Sequence, residues 1–124
     1  MSAWTSAELE RIAEADELEL RSTRHDGTLR EPVTIWVIRH GDDLYVRAFH
    51  GRGGTWFRGV QDRHAGHIRA GGVDKDVVLV ETDKANDEID AAYRSKYQRY
   101  GARYVDPMLA PKARATTLKV VPNG

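Results

Sequence analysis

A chain of 124 residues with 19 basic and 19 acidic side chains has the size of one compact domain, expected to span residues 1–124, and no global field to draw it onto nucleic acid or a membrane surface. It contains no cysteine, which excludes thiol catalysis, disulfides and cysteine-ligated metals. No apolar signal core opens the chain and no run approaches membrane-spanning length, so cytoplasmic residence without nucleic-acid or membrane partners is expected.

Thr5 and Glu8 have the spacing of a capping box, and Trp4 and Leu9 stand where a hydrophobic staple closes, so a short helix is expected to run to about residue 15. Leu18 and Leu20 then alternate with charges as in a half-buried strand. His25-Asp26-Gly27-Thr28 reads as a turn. Pro32 opens a strand over residues 33–39, rich in β-branched and aromatic side chains, and residues 41–43 turn the chain into a further strand over residues 44–49. There Leu44, Val46 and Ala48 share one face, and Tyr45, Arg47 and Phe49 the other.

Residues 50–59, His-Gly-Arg-Gly-Gly-Thr-Trp-Phe-Arg-Gly, form a glycine-rich turn that opens a helix over residues 55–63. A helix start carries free N–H groups that favour an anion, and arginine offers forked donors that match a phosphate or carboxylate. The loop reads either as a cradle for such an anion or as a flexible connection with solvated arginines. Trp56 and Phe57 read as ring-stacking surfaces or as core. Arg47, between two aromatics, requires an anion, which a ligand or a protein carboxylate such as Asp43 or Glu81 would supply. His50 has the side-chain chemistry of proton transfer but no visible orienting acid. His64 and His67 lack a third ligand and read as surface residues, with no metal expected.

Residues 67–70 and 73–82 form strands around the Gly71-Gly72 hairpin turn, and the run Val77-Val78-Leu79-Val80 suggests burial on both sheet faces. Asn86 is expected to cap a helix extending to Tyr100, with Ile89, Tyr93, Tyr97 and Tyr100 along one face and Gly101 at its end. Arg94, Lys96, Arg99 and Arg103 read as a solvated basic face. Pro107 and Pro111 bracket a loop before a last strand over residues 116–121. Six mostly antiparallel strands with peripheral helices amount to a mainly β (α+β) fold. A small split or closed barrel removes its exposed edges. Leu18, Leu20, Val33, Ile35, Val37, Val46, Val78, Val80, Leu118 and Val120 are expected in its core.

Two segments carry a family likeness. Arg24-His25-Asp26-Gly27-Thr28-Leu29-Arg30-Glu31-Pro32 resembles the basic hairpin of the deazaflavin-dependent nitroreductase branch of the split β-barrel flavoproteins, where basic residues flank a glycine before a proline-led strand. Gly53-Gly54-Thr55-Trp56-Phe57 resembles that branch's loop, in which a Trp-aromatic pair begins a helix beside the cofactor. His25 and Asp26 depart from its usual lysine and serine, and the asparagine that commonly follows the aromatic pair is missing. The resemblance extends to small uncharacterised bacterial relatives. It implies a six-stranded split barrel, a homodimer and a flavin- or deazaflavin-binding oxidoreductase-like protein of open substrate, with FMN or a deazaflavin coenzyme as cofactor. Arg30, Arg47, Arg52, Gly53, Gly54, Thr55 and Trp56 are then the cofactor-binding candidates for a phosphate- or carboxylate-bearing small molecule. The other readings are a cofactor-free anion-binding barrel and a structural or interaction domain.

Overall fold

The structure is a computed structural model that describes residues 3–123. Seven antiparallel strands form one curled sheet: β1 (Leu18–Ser22), β2 (Val33–Ile35), β3 (Ile38–His40), β4 (Asp43–Val46), β5 (Ala65–Ala70), β6 (Val73–Glu81) and β7 (Leu118–Pro122). Their order across the sheet is β2-β1-β5-β6-β7-β4-β3. The helices are α1 (Ser6–Glu14), α2 (Thr55–Arg63), α3 (Asn86–Tyr97), α4 (Ala102–Leu109) and α5 (Pro111–Arg114).

The strand count differs from six because residues 33–39 form two strands, with Trp36 and Val37 between them. β2 and β3 lie at opposite edges of the sheet, yet Ile35 and Ile38 are three residues apart and their Cα atoms lie within about 11 Å. The sheet must therefore curl until its two edges meet, which is the half-barrel closure of a split-barrel fold. Side chains from α3 latch the crossing. Lys96 Nζ donates to the Val37 carbonyl at 2.7 Å, and the Val37 N–H donates to the Tyr97 hydroxyl at 3.1 Å. The Tyr97 proton faces the carbonyls of Asp16 at 2.7 Å and Val37 at 3.0 Å. Trp36 stacks on Tyr97 with ring centroids 3.9 Å apart.

Local chemistry explains the other elements. Both bonds of the Thr5–Glu8 capping box form, and Trp4 is buried with its indole N–H donating to the Val120 carbonyl at 2.8 Å. Gly71 and Gly72 have φ of 55° and 84°, the backbone of a tight hairpin turn. Where Pro107 and Pro111 were expected to bracket a loop, α4 runs to Leu109 with Pro107 inside it and α5 begins at Pro111; the missing Pro107 N–H costs one helical bond two residues before α4 ends. Asn86 begins α3 without capping it, since Ala85 holds the cap position, and the Asn86 amide oxygen accepts from Arg47 and Thr117 instead.

Two clusters fill the fold. The inner one joins Leu18, Leu20, Val37, Leu44, Val46, Phe57, Ile68, Val77, Leu79, Leu118 and Val120 beneath α1 and α2. The outer one packs Ile38 and Tyr45 against Ile89, Tyr93 and Tyr97 of α3 and Val105 and Met108 of α4. Val33 is only half-buried, and Ile35 packs at the margin of the inner cluster. Val78 and Val80 are exposed at 36% and 44%, so burial of β6 on both faces is corrected to burial of one. α3 and α4 cover the β3–β4 part of the outer sheet face, while the β5–β6 part carries Arg69, Asp74, Asp76, Val78 and Val80 on its exposed positions.

Candidate functional site

The end of β4 leads through Arg47, Ala48, Phe49 and His50 to a 3₁₀ turn (Gly51–Gly53) and then α2. Gly54 is the N-cap of α2 and makes no side-chain cap. The first helical bond is donated by Arg58 to the Gly54 carbonyl, so the amides of residues 55–57 precede the hydrogen-bonded helix. A Cβ on Gly54 would stand 3.2 Å from the Cβ of His50, so glycine here lets His50 sit against the helix start.

A cavity of about 510 Å³ lies at this helix start, lined by Ser22, Arg24, Arg30, Glu31, Ala48, Gly54 and Thr55 among others. Arg30 reaches it from the hairpin between β1 and β2. Its Nη1 donates to the carbonyls of Thr23 at 3.0 Å and Gly59 at 3.2 Å, and its Nη2 pairs with Asp62. A Cβ on Gly59 would come within 3.2 Å of Arg30 Nε, so the absence of a side chain there allows the guanidinium to lie along α2. Arg24 donates through Nη1 to Thr28 and to the Leu29 carbonyl at 2.7 Å. Its Nε and Nη2, and the Nε of Arg30, have no protein acceptor among the described residues.

A second cavity, of about 360 Å³, is lined by Ile35, Trp36, Arg47, Phe49, Tyr104 and Met108 among others. Val33, His50 and Trp56 line both cavities. One groove therefore has a cationic chamber at the start of α2 and an aromatic chamber beneath Trp36 and Tyr104. Trp36, one ring face covered by Tyr97, is a fixed wall.

Arg47 lies at the aromatic chamber as a buried, saturated cation. Its Nε donates to Thr117 Oγ1 at 3.0 Å, Nη1 to Asp90 Oδ1 at 2.5 Å and to the Met108 carbonyl at 2.9 Å, and Nη2 to the side chain and backbone oxygens of Asn86. These acceptors occupy all of the donors an arginine has, and its carboxylate is Asp90, where Asp43 or Glu81 was expected. Arg47, just past β4, thus ties the end of that strand to α3, α4 and the residue before β7, with no donor left for a ligand.

Of the residues expected together, Arg30, Gly54, Thr55 and Trp56 line the cationic chamber, while Gly53 lines neither chamber. Arg52 turns away. It donates to Glu81 at 2.8 Å and to the Ala115 carbonyl at 3.1 Å, packs over the buried Phe57 ring, and lines a separate polar cavity. Its hydrogen bond holds the Glu81 carboxyl below the usual range. Phe57 itself is core. Sequence reasoning missed Trp36, whose place depends on a strand break that no glycine or proline marks, and Tyr104, which falls between Gly101 and Pro107 where no element was expected. Arg24 was visible as a flank of the basic hairpin.

His64 pairs loosely with Glu81 at 3.5 Å, and His67 lies between Asp76, at 2.7 Å, and Asp74. Hydrogen bonding to Asp76 and Asp74 raises the His67 pKa against the opposing effect of burial. Among the described residues no cluster of three or more metal-ligating side chains is present, and no helix is long and apolar enough to cross a membrane.

A profile of DUF2255, an uncharacterized protein family conserved in bacteria, matches residues 8–120. No curated protein sequence matches the chain. Among solved structures, the conserved hypothetical protein Rv2991 from Mycobacterium tuberculosis superposes with a TM-score of 0.61 at 14% identity, covering 99% of this chain and 82% of that one. An F420-H2 dependent reductase (FDR-A) gives 0.59 at 14% identity, covering 86% and 93%. The FAD and heme binding protein from Mycobacterium smegmatis gives 0.53 at 15% identity, covering 97% and 66%. At these identities the likeness establishes a shared fold.

Proposed function

The chain belongs to DUF2255, an uncharacterized family conserved in bacteria, and for it we propose a flavin- or deazaflavin-binding, oxidoreductase-like function. The observation that carries this reading is that the cationic and aromatic chambers share Val33, His50 and Trp56, so one ligand can present a phosphate to the first and a planar ring to the second. The residues fit such a group. Arg24, Arg30 and the first amides of α2 supply anion donors, and Trp36, Phe49, Trp56 and Tyr104 supply apolar and stacking surface. When bound, a flavin-type cofactor would carry the hydride chemistry, and this chain would supply position and electrostatics. The fold shared with an F420-H2 dependent reductase and an FAD-binding protein supports the cofactor class. On this reading the partner is a phosphate-bearing small molecule, the protein acts in the cytoplasm, and the exposed Val78 and Val80 of β6 are the natural seam of a homodimer.

Native mass spectrometry of freshly purified protein reports ligand mass and oligomeric state together. Adding FMN or a deazaflavin to the emptied protein should quench ligand fluorescence, and raised salt should weaken binding by screening the cationic chamber. A protein that binds neither cofactor nor simple phosphates would return the groove to a plain loop on an anion-free barrel.

A further inference from the structure

The aromatic chamber has one side chain able to exchange a proton with a ligand near neutral pH. Arg47 is saturated by Asp90, Asn86, Met108 and Thr117. Tyr104 is 55% exposed at the rim, and a phenol ordinarily titrates near pH 10. His50 is different. It lines both chambers, its ring meets the edge of Phe49 at 5.0 Å, and the histidine-ring hydrogen bonds among the described residues belong to His64 and His67, none to His50. Its backbone position is set from both sides: it is the N-cap of the 3₁₀ turn, and its Cβ lies against Gly54. An imidazole is the side chain whose ordinary pKa permits both protonation states near pH 7, and its solvent exposure allows it to be recharged from water.

We propose that His50 is the proton-transferring residue of the groove. This assignment rests on the reading of the groove as a flavin-type site. It concerns a planar acceptor whose reduction by hydride leaves an anionic oxygen. With a quinone as acceptor and a reduced flavin or deazaflavin as reductant, hydride reaches one quinone oxygen and the electron pair passes through the ring to the other oxygen. That oxygen takes the imidazolium proton from His50. The acceptor gains two electrons and two hydrogens, the reductant is oxidised by two electrons, and neutral His50 regains its proton from solvent. The free Nε2–H or Nδ1–H is available for this transfer because no protein carboxylate holds either nitrogen.

The test pairs a binding readout with a kinetic one, using FMN and a soluble benzoquinone as probes. In histidine-resolved NMR of the whole protein, the His50 ring resonances should move on addition of FMN. In anaerobic stopped-flow oxidation of the reduced FMN complex, at FMN concentrations that saturate either protein, His50→Gln should slow quinone reduction by about 10²–10⁴-fold. The wild-type rate should fall with rising pH, and the variant should lose that dependence. An unmoved His50 resonance on FMN binding, or a variant with wild-type rate and pH profile, overturns the assignment while leaving the cofactor reading intact. Failure of the wild-type protein to bind either FMN or a deazaflavin overturns both.

Discussion

Two arginines reach the groove from opposite sides and meet opposite surroundings. Arg47, with a side chain 0% exposed, is held by Asp90, Asn86, Met108 and Thr117 under α3 and α4. Arg30, 29% exposed, is held at its Nη atoms by the hairpin and α2, but its Nε is left over, and Arg24 beside it has two donor groups left over. A closed donor set marks a joint between elements, whereas an open one lining a cavity is free for water or, on the reading proposed above, for a ligand. Residue type does not separate the two. The arginine that looked most functional in the alternating β4 segment is the structural one.

The sharpest way to break this comparison is to remove Asp90. Asp90→Ala leaves the Arg47 charge buried and unpaired, and should destabilise the fold by about 3–5 kcal/mol in urea unfolding. Arg47→Met, which removes the charge along with its need for a partner, should cost less than Asp90→Ala does. If Asp90→Ala leaves the unfolding midpoint unchanged, Arg47 is not the closed joint described here.

The open side predicts the converse, lost affinity with little lost stability. Arg24→Ala should weaken FMN or deazaflavin binding by the loss of a charge-assisted contact, about 1.5–3 kcal/mol or roughly ten- to a hundredfold. Isothermal titration calorimetry should show Arg52→Ala, whose guanidinium serves Glu81 and the Ala115 carbonyl, binding close to wild type. Equal losses from both changes would mean a diffuse field with no built chamber.

Proton linkage probes the closed side more gently. Burial lowers the Lys96 pKa to about 8 from an ordinary value near 10.4. Between those values the folded side chain is neutral while the unfolded one stays charged. The unfolded chain then binds more protons, and stability rises with pH. Burial raises the Tyr93 and Tyr97 pKa values, so their contribution falls with pH above about 10. The gain should therefore be confined to about pH 8–10 and vanish in Lys96→Met. A flat profile in chemical denaturation would show that the Val37 latch does not bury its ammonium.

The smallest effect belongs to His67 on the bare outer face. Its pKa is raised, mainly by the hydrogen bond to Asp76 and also by Asp74. Its stabilisation is complete below the ordinary imidazole value of about 6.5 and is lost as pH rises through the raised folded value. His67→Gln should flatten that shallow decline without touching ligand affinity.

What could be read beforehand was local. The Thr5–Glu8 box, the Gly71-Gly72 turn, the start of α2 and the two faces of residues 44–48 each depend on residues within a few positions of one another, where spacing and backbone preference decide the outcome. The break at Trp36 and Val37 depends on Lys96 and Tyr97 some sixty residues away, so no nearby residue announces it. The one-sided burial of Val77 and Leu79 was hidden because a run of four apolar residues has no alternation to read. The groove was half legible. Its helix start and hairpin carry glycines and arginines in recognisable order, while its aromatic walls come from the strand break and from α4, both set by tertiary packing.

The position of β7 has a consequence for the order in which the protein can be built. It pairs with β6 on one side and β4 on the other, yet it is synthesised after the six other strands. Until residues 118–122 emerge, the nascent sheet is two separate ribbons, β2-β1-β5-β6 and β4-β3, each with an unsatisfied edge where β7 will lie. Such edges recruit strands from other chains. A fusion or tag that delays docking of this segment on the ribosome should therefore lower soluble yield far more than one at α1. The same segment supplied in trans as a synthetic peptide should bind a chain lacking it by inserting between the two ribbons.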